Sequence, residues 1–194
     1  MAKMMAPNTR IDWIPDGGIS DARNPLDTEL NAGTNLSPAI TTGYTLGFTD
    51  SDTDDSKSIV DEANVETPTR DNYEATLEFF MAPESEGSQD ATEIAYQEAE
   101  ALFGTDDRVT GWLVLRNGYK ANVEYAEGQE ISLFRVTSDI RRIASDDAAP
   151  IMMEVPFLSQ GEAVSNVAVV AVAPAPDPAP DPAPDPDPDP DPAV

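Results

Sequence analysis

The residues with the most evident ligand chemistry are Asp50, Asp52 and Asp54. Their alternation copies the opening of a calcium-binding loop, with Asp61 in the twelfth position. Two residues argue against that chemistry. Asp55 stands where such a loop turns on glycine, and Asp61 is one methylene shorter than the usual bidentate glutamate. The run Asp50–Ser56 therefore reads as a solvated hairpin tip. The chain holds no cysteine and no histidine. Thiol nucleophiles, thiolate metal sites, disulfides and the commonest general base are all excluded. Neither a Ser-x-x-Lys dyad nor a Gly-x-x-x-x-Gly-Lys phosphate loop occurs. A carboxylate pair could serve a glycosidase, but among 37 acidic residues a pair carries no information. The expectation is a chain without catalytic residues, metal or cofactor, and not an enzyme.

Charge points the same way. With 11 basic residues against 37 acidic ones, the net charge is −26. A general phosphate-backbone binder is excluded, because no basic stripe exists to replace condensed counterions. Arg141-Arg142 is the only basic pair. An acidic protein can still handle DNA by repelling it, since a negative wall lets a duplex pass without sticking. The longest apolar run, Val167–Ala173, is far shorter than the roughly 20 residues of a spanning helix. Met1–Pro7 lacks an export-signal pattern. The sequence thus predicts a soluble protein made in the cytosol, with no membrane partner.

Three regions must position whatever function exists. Residues 1–42 are rich in Asn, Asp, Gly, Pro and Thr and poor in periodicity, which predicts an extended arm. Within that arm Ile11, Trp13 and Ile14 form an apolar cluster that needs a surface to pack on, in the same chain or in a neighbouring subunit. Residues 43–173 carry the strand signals. Tyr44, Leu46 and Phe48 alternate with polar residues, and Lys57–Asp61 reads as a short return. In Asn72–Met81, Tyr73, Ala75, Leu77 and Phe79 share one face while Glu74, Thr76 and Glu78 share the other. Thr110–Arg116 is a strand of the buried type. Asn117-Gly118 predicts a tight turn with Lys120–Tyr125 as its hairpin partner. Glu130–Val136, Ile151–Phe157 and Ala163–Val172 follow as strands. One helix is expected over Ala91–Phe103, capped by Asp90, with Ala91, Ile94, Ala95, Ala99 and Leu102 as its apolar stripe and Gly104 as a left-handed stop. The fold class is mainly β (α+β): two packed antiparallel sheets or a partial barrel with one flanking helix. Residues 174–194 alternate proline with Ala and Asp, which predicts a disordered polyproline-II tail.

The body resembles the major tail (tail tube) proteins of long, non-contractile-tailed bacteriophages, particularly those of actinobacterial hosts. The resemblance runs from Asn8 to about Val169. It is carried by the arm NTRIDWIPDGGISDARNPLDTELNAGTNLSPAI, by SKSIVDEANVETPTRDNYEATLEFF, by the lone helix, by GWLVLRNGYKANVEYAEGQEISLFRVTSDI and by the late PIMMEVPF. The signal is the order of features: arm, two-sided strand, helix, Leu-Val-x-Arg-x-Gly hairpin, Gly-x-x-Ile strand. It implies a structural virion protein that forms hexameric rings with sheets joined edge to edge. The rings stack into a tube that conducts genomic double-stranded DNA from capsid to host. Implied partners are further copies of the chain, a tail terminator, a tape measure and baseplate or distal tail proteins. Under this reading Glu74, Thr76 and Glu78 line the lumen, and Ile11, Trp13 and Ile14 anchor the arm between subunits. Two other readings fit the composition: a capsid decoration or other structural virion protein, and a bacterial surface module on a Pro-Asp stalk.

Overall fold

A computed structural model of the chain describes residues 8–54, 67–81, 90–144 and 151–171. The elements in chain order are β1 (Thr9–Pro15), α1 (Asp27–Asn31), β2 (Thr34–Asn35), a 3-10 turn (Ser37–Ala39), β3 (Thr45–Asp54), β4 (Thr67–Phe80), α2 (Ala91–Phe103), β5 (Thr110–Asn117), β6 (Glu130–Ser138), β7 (Arg142–Ala144) and β8 (Met152–Ala168). The chain is mainly β, as its alternation predicts. The eight strands among the described residues form one antiparallel sheet in the order β2-β1-β5-β6-β8-β4-β3, with β7 also paired to β8.

That sheet folds over on itself. Met152–Phe157 of β8 pairs with β4, whereas Phe157–Ala168 pairs with β6. One strand therefore serves two leaves. The sequence predicts two strands here, Ile151–Phe157 and Ala163–Val172. They are halves of one 17-residue strand that bends at register shifts opposite β6 and passes Gly161 at φ +75°. A β-bulge and a glycine in the left-handed region are the usual means of turning a strand without ending it. The first leaf is β2-β1-β5-β6, and the second is β7-β8-β4-β3.

Between the leaves lies the main core. Ile11, Trp13, Leu113, Phe134 and Val136 of the first leaf meet Tyr73, Leu77, Phe79, Met153 and Val155 of the second. α2 closes this core with Phe103, which packs edge-on against Trp13 (5.1 Å) and Phe157 (5.3 Å). Edge-to-face pairs at such separations add to the burial of the rings themselves. A second core lies on the outer face of the first leaf. Ile14, Trp112, Val114, Ile131 and Leu133 are covered there by Ile19, Ala22, Leu30, Tyr125 and Val169. β5 is thus buried on both faces, which explains its unbroken apolar run.

Several sequence expectations need correction. The polar N-terminal region is not a separate arm, because β1 lies within the sheet between β2 and β5. α2 has the expected limits, and Asp90 caps it by accepting from the backbone of Thr92 and Glu93. Its buried stripe, however, is Ala95, Tyr96, Ala99 and Phe103, while Ile94 is exposed. The two aromatic side chains carry more apolar area than Ile94 and Leu102, so they set the helix rotation. Gly104 is right-handed (φ −77°). Its lack of a side chain serves space rather than handedness, since a Cβ there would collide with the Glu100 carbonyl. Lys120–Tyr125 is not a strand, and β5 pairs with β1 and β6 instead. Asp50–Asp54 belongs to β3 rather than to a turn. Asp55, Ser56 and the expected return Lys57–Asp61 lie outside the described residues, as does the Pro174–Val194 tail.

Candidate functional site

The outer face of the second leaf is built by alternation. In β4, Tyr73, Ala75, Leu77 and Phe79 point to the core, so Glu74, Thr76 and Glu78 must point away. β8 contributes Glu154 opposite Glu78, and Pro156 opposite Thr76. β3 contributes Gly47 opposite Glu74, and Thr45 opposite Thr76. β7 contributes Arg142 opposite Glu154, with a 3.3 Å ion pair between them. The face is a polar, mainly acidic strip four strands wide. Glu74 is exposed, whereas Glu78 is half-buried and accepts a hydrogen bond from Thr41 Oγ1 at 3.0 Å. Glu154 and Arg142 join the three residues the sequence singles out. The alternation of Met152–Phe157 could have found Glu154, but the placing of Arg142 beside it depends on tertiary pairing.

The sheet ends differently at its two sides. Beyond β1 the edge is blunted: β2 is two residues long, Leu36 donates its N–H to the Ile11 carbonyl, and Ser37 Oγ accepts from the Ile11 N–H. β3 is the other end of the sheet order, ten residues long. Along it runs an open groove of about 480 Å³ lined by Tyr44, Leu46, Phe48 and Glu74, among others. Phe48 is 42 % exposed there. Among the described residues the short β7 pairs only with β8, and two exposed isoleucines, Ile140 and Ile143, lie near or on it. Asn72 Nδ2 of β4 donates to the Asp50 carbonyl and to Asp52 Oδ1 of β3. The carboxylates that resemble a calcium loop in sequence thus sit on a paired strand.

Ile11, Trp13 and Ile14 are buried within their own chain, each 2 % exposed or less. Ile11 and Trp13 belong to the core between the leaves, and Ile14 to the outer core. Almost none of their apolar surface is left for a neighbouring subunit, so the anchor role expected for them is replaced by a core role.

A buried ionic cluster went unread in the sequence. Arg10, Asp12 and Arg116 sit side by side on β1 and β5, all at most 7 % exposed. Arg10 Nε is bonded to Asp12 at 2.8 Å. Arg116 donates to the carbonyls of Lys120, Val123 and Glu124 and to Gln129 Oε1. Arg10 also donates to the Val123 carbonyl. The Tyr125 ring lies against both guanidiniums, 4.7 and 4.6 Å from its centroid. This is why Lys120–Tyr125 does not extend as a strand: its carbonyls turn inward to satisfy the arginines. Gly118, at φ +100°, permits the departure from β5.

Burial pushes the Asp12 carboxyl up to about 6, an effect that the adjacent Arg10 offsets only in part. The folded chain therefore binds this proton more tightly than the unfolded chain does. Asp12 contributes most to stability at low pH, and that contribution is lost as pH rises through about 6. Relief of self-repulsion in a chain of net charge −26 acts in the same direction. The thermal midpoint is expected to rise between pH 7.5 and pH 5, with Asp12 supplying about 1–3 kcal/mol of the change. Asp12→Asn should flatten that slope. A midpoint that falls steadily over the same interval would contradict this assignment.

Among the described residues no helix is long and apolar enough to cross a membrane. A model of the phage tail tube protein family matches residues 1–172. No curated protein matches the chain. Among solved structures, the chain is similar to one in the six-fold symmetrised cryo-EM structure of the anti-feeding prophage baseplate. The identity is 9 %, the TM-score 0.48, and the match covers 85 % of this chain and 97 % of that one. The family match takes in every described element of the sheet, both outer faces and the buried cluster, and on that match the chain belongs to the phage tail tube protein family.

Proposed function

We propose that the chain polymerises as stacked hexameric rings into the tube of a non-contractile phage tail, through which genomic DNA leaves the capsid. The observation that carries this reading is the four-stranded second leaf, with a polar acidic face and, at its two sides, the ten-residue β3 and the three-residue β7, each paired to one neighbour among the described residues. β3 bears Asp50 and Asp52, while β7 bears Arg142 and follows Arg141. Opposite charges on opposite edges favour head-to-tail pairing, and a head-to-tail contact closes into a ring when its rotation allows. Pairing would also cover Phe48 and the groove beside β3, removing an edge that otherwise invites aggregation.

The dimensions agree with this arrangement. Six such leaves give a barrel of about 24 strands at roughly 4.8 Å spacing, hence a circumference near 115 Å before strand tilt widens it. The backbone diameter is then roughly 37 Å. Subtracting about 5 Å of side chain at each wall leaves a bore of roughly 25 Å, enough for a B-form duplex. Glu74, Thr76, Glu78 and Glu154 would line it. Their repulsion of phosphates acts within a screening length of about 8–10 Å, so DNA is kept off the wall without being bound. The tail terminator, tape measure and baseplate proteins remain the partners such a tube requires.

Negative-stain microscopy and sedimentation of the purified chain test the reading. Hollow tubes with six-fold rings are expected. Ile143→Asp sets a carboxylate on the β7 edge, where it would face acidic β3. Because Ile143 is 59 % exposed, the variant should fold as a monomer yet fail to polymerise. Closed trimers, or tubes unaffected by Ile143→Asp, would overturn the ring or the edge assignment respectively.

A further inference from the structure

We infer that the Tyr73 hydroxyl is the latch that holds the bend of β8 and so fixes the angle between the two leaves. The bend lies where the register against β6 shifts. Phe134 pairs with Ala163 and Val136 with Ser159, so Arg135 alone on β6 faces Gln160, Gly161 and Glu162 on β8. Extra residues in one strand interrupt the ladder and leave local backbone groups in need of other partners. Tyr73 supplies one. Its hydroxyl donates to the Arg135 carbonyl and accepts from the Gln160 N–H at 2.8 Å.

The reach of this side chain follows from where β4 and β8 part. Their ladder ends at Ala75 and Phe157. Tyr73 stands further along β4, on the core face, where β8 has turned away toward β6. Its ring packs against Phe134 and Phe48, at centroid distances of 5.7 and 6.4 Å. Its oxygen spans the gap that the β4 backbone no longer bridges. A side chain of the second leaf is thus bonded both to β6 of the first leaf and to β8 at the point of bending. Burial raises the pKa of the hydroxyl against the opposing pull of the Gln160, Gly161 and Glu162 amides, so the group keeps the proton it donates. Gly161, at φ +75° with open space where a Cβ would lie, gives the strand freedom to turn. That freedom does not set an angle; the bond from Tyr73 does. The latch belongs to the folded chain and stands whether or not the chain polymerises.

Tyr73→Phe in the full chain tests this, because the ring stays and only the hydroxyl goes. Hydrogen exchange at Gln160, Gly161 and Glu162 should become about tenfold to a hundredfold faster, the scale of leaving buried backbone groups without a partner. Exchange over Ala95–Phe103 of α2 should not change. The chain has no cysteine of its own, so spin labels at Thr49→Cys on β3 and Glu130→Cys on β6, both exposed, read the distance between the leaves. Labelled chains are diluted in unlabelled ones so that only distances within one chain are seen. The distance distribution should broaden in Tyr73→Phe. Unchanged exchange at 160–162, an equal rise in every strand and helix, or an unchanged distance distribution would each overturn the inference. A second measurement needs no variant. In the native chain the Tyr73 hydroxyl proton should exchange slowly enough to be seen by NMR, and exchange as fast as that of a free tyrosine overturns the latch even if Tyr73→Phe fails to fold.

Discussion

Arg116→Ala should be the most damaging single substitution in the described fold, costing about 3–5 kcal/mol, the usual penalty for breaking a buried ionic network from one side. Arg116 is fully buried and serves four acceptors, three of them backbone carbonyls of the 118–129 loop. Removing it strands those acceptors away from water, and leaves Asp12 and Tyr125 without one of the two guanidiniums beside them. A domain of this size has about 5–15 kcal/mol in hand, so the loss takes a large share of it. Arg116→Lys keeps the charge but replaces a planar fork by a point donor, and should recover only part of the loss. Urea unfolding of the three proteins gives the size of the effect, and hydrogen exchange over residues 118–129 gives its location. A shift below about 1 kcal/mol, or unchanged protection of that loop, would mean that the cluster does not hold it.

Charge reversal of the acidic strip should leave assembly intact and stop transport. In the tube we propose, Glu74→Lys with Glu78→Lys changes the wall by four charges per subunit, about 24 per hexameric ring. A duplex presents one phosphate charge per about 1.7 Å, and lysines that replace its counterions hold it in place. Neither residue faces the core, so rings and tubes of unchanged bore are expected. Glu78 does accept from Thr41, and Glu74→Lys alone separates any local effect of losing that bond. Virions carrying both changes should eject DNA slowly or not at all, with partial recovery at high salt. Normal ejection would remove Glu74 and Glu78 from the lumen and send the strip to an outer surface.

How much of this was legible without coordinates varies with the range of the cause. The limits of α2 and its Asp90 cap were legible, because capping and helical spacing act over a few residues. The two faces of β4 were legible for the same reason, since alternation alone assigns Tyr73, Ala75, Leu77 and Phe79 to one side. With them came Glu74, Thr76 and Glu78 as an outward set. The mainly β class follows from alternation in several segments, and the lack of histidine, cysteine and basic stripe is read from composition.

What the sequence could not decide depends on residues far apart in the chain. β1 reads as a polar arm because Arg10 and Asp12 interrupt its apolar residues. Only the pairing with β5 and the approach of the 118–129 loop give those two charges partners, and so allow the strand to be buried. Lys120–Tyr125 has strand-like residues, yet its carbonyls satisfy Arg116 instead, a contact that competes successfully with local propensity. The rotation of α2 was set by Tyr96 and Phe103 finding the core, not by the helix itself. The union of two expected strands into β8 comes from its having a partner on each leaf. Local rules gave the limits of α2 and the two faces of β4. Long-range satisfaction of buried charge and aromatic surface decided which strands join, where the edges lie, and therefore which surface remains for a tube to be built from.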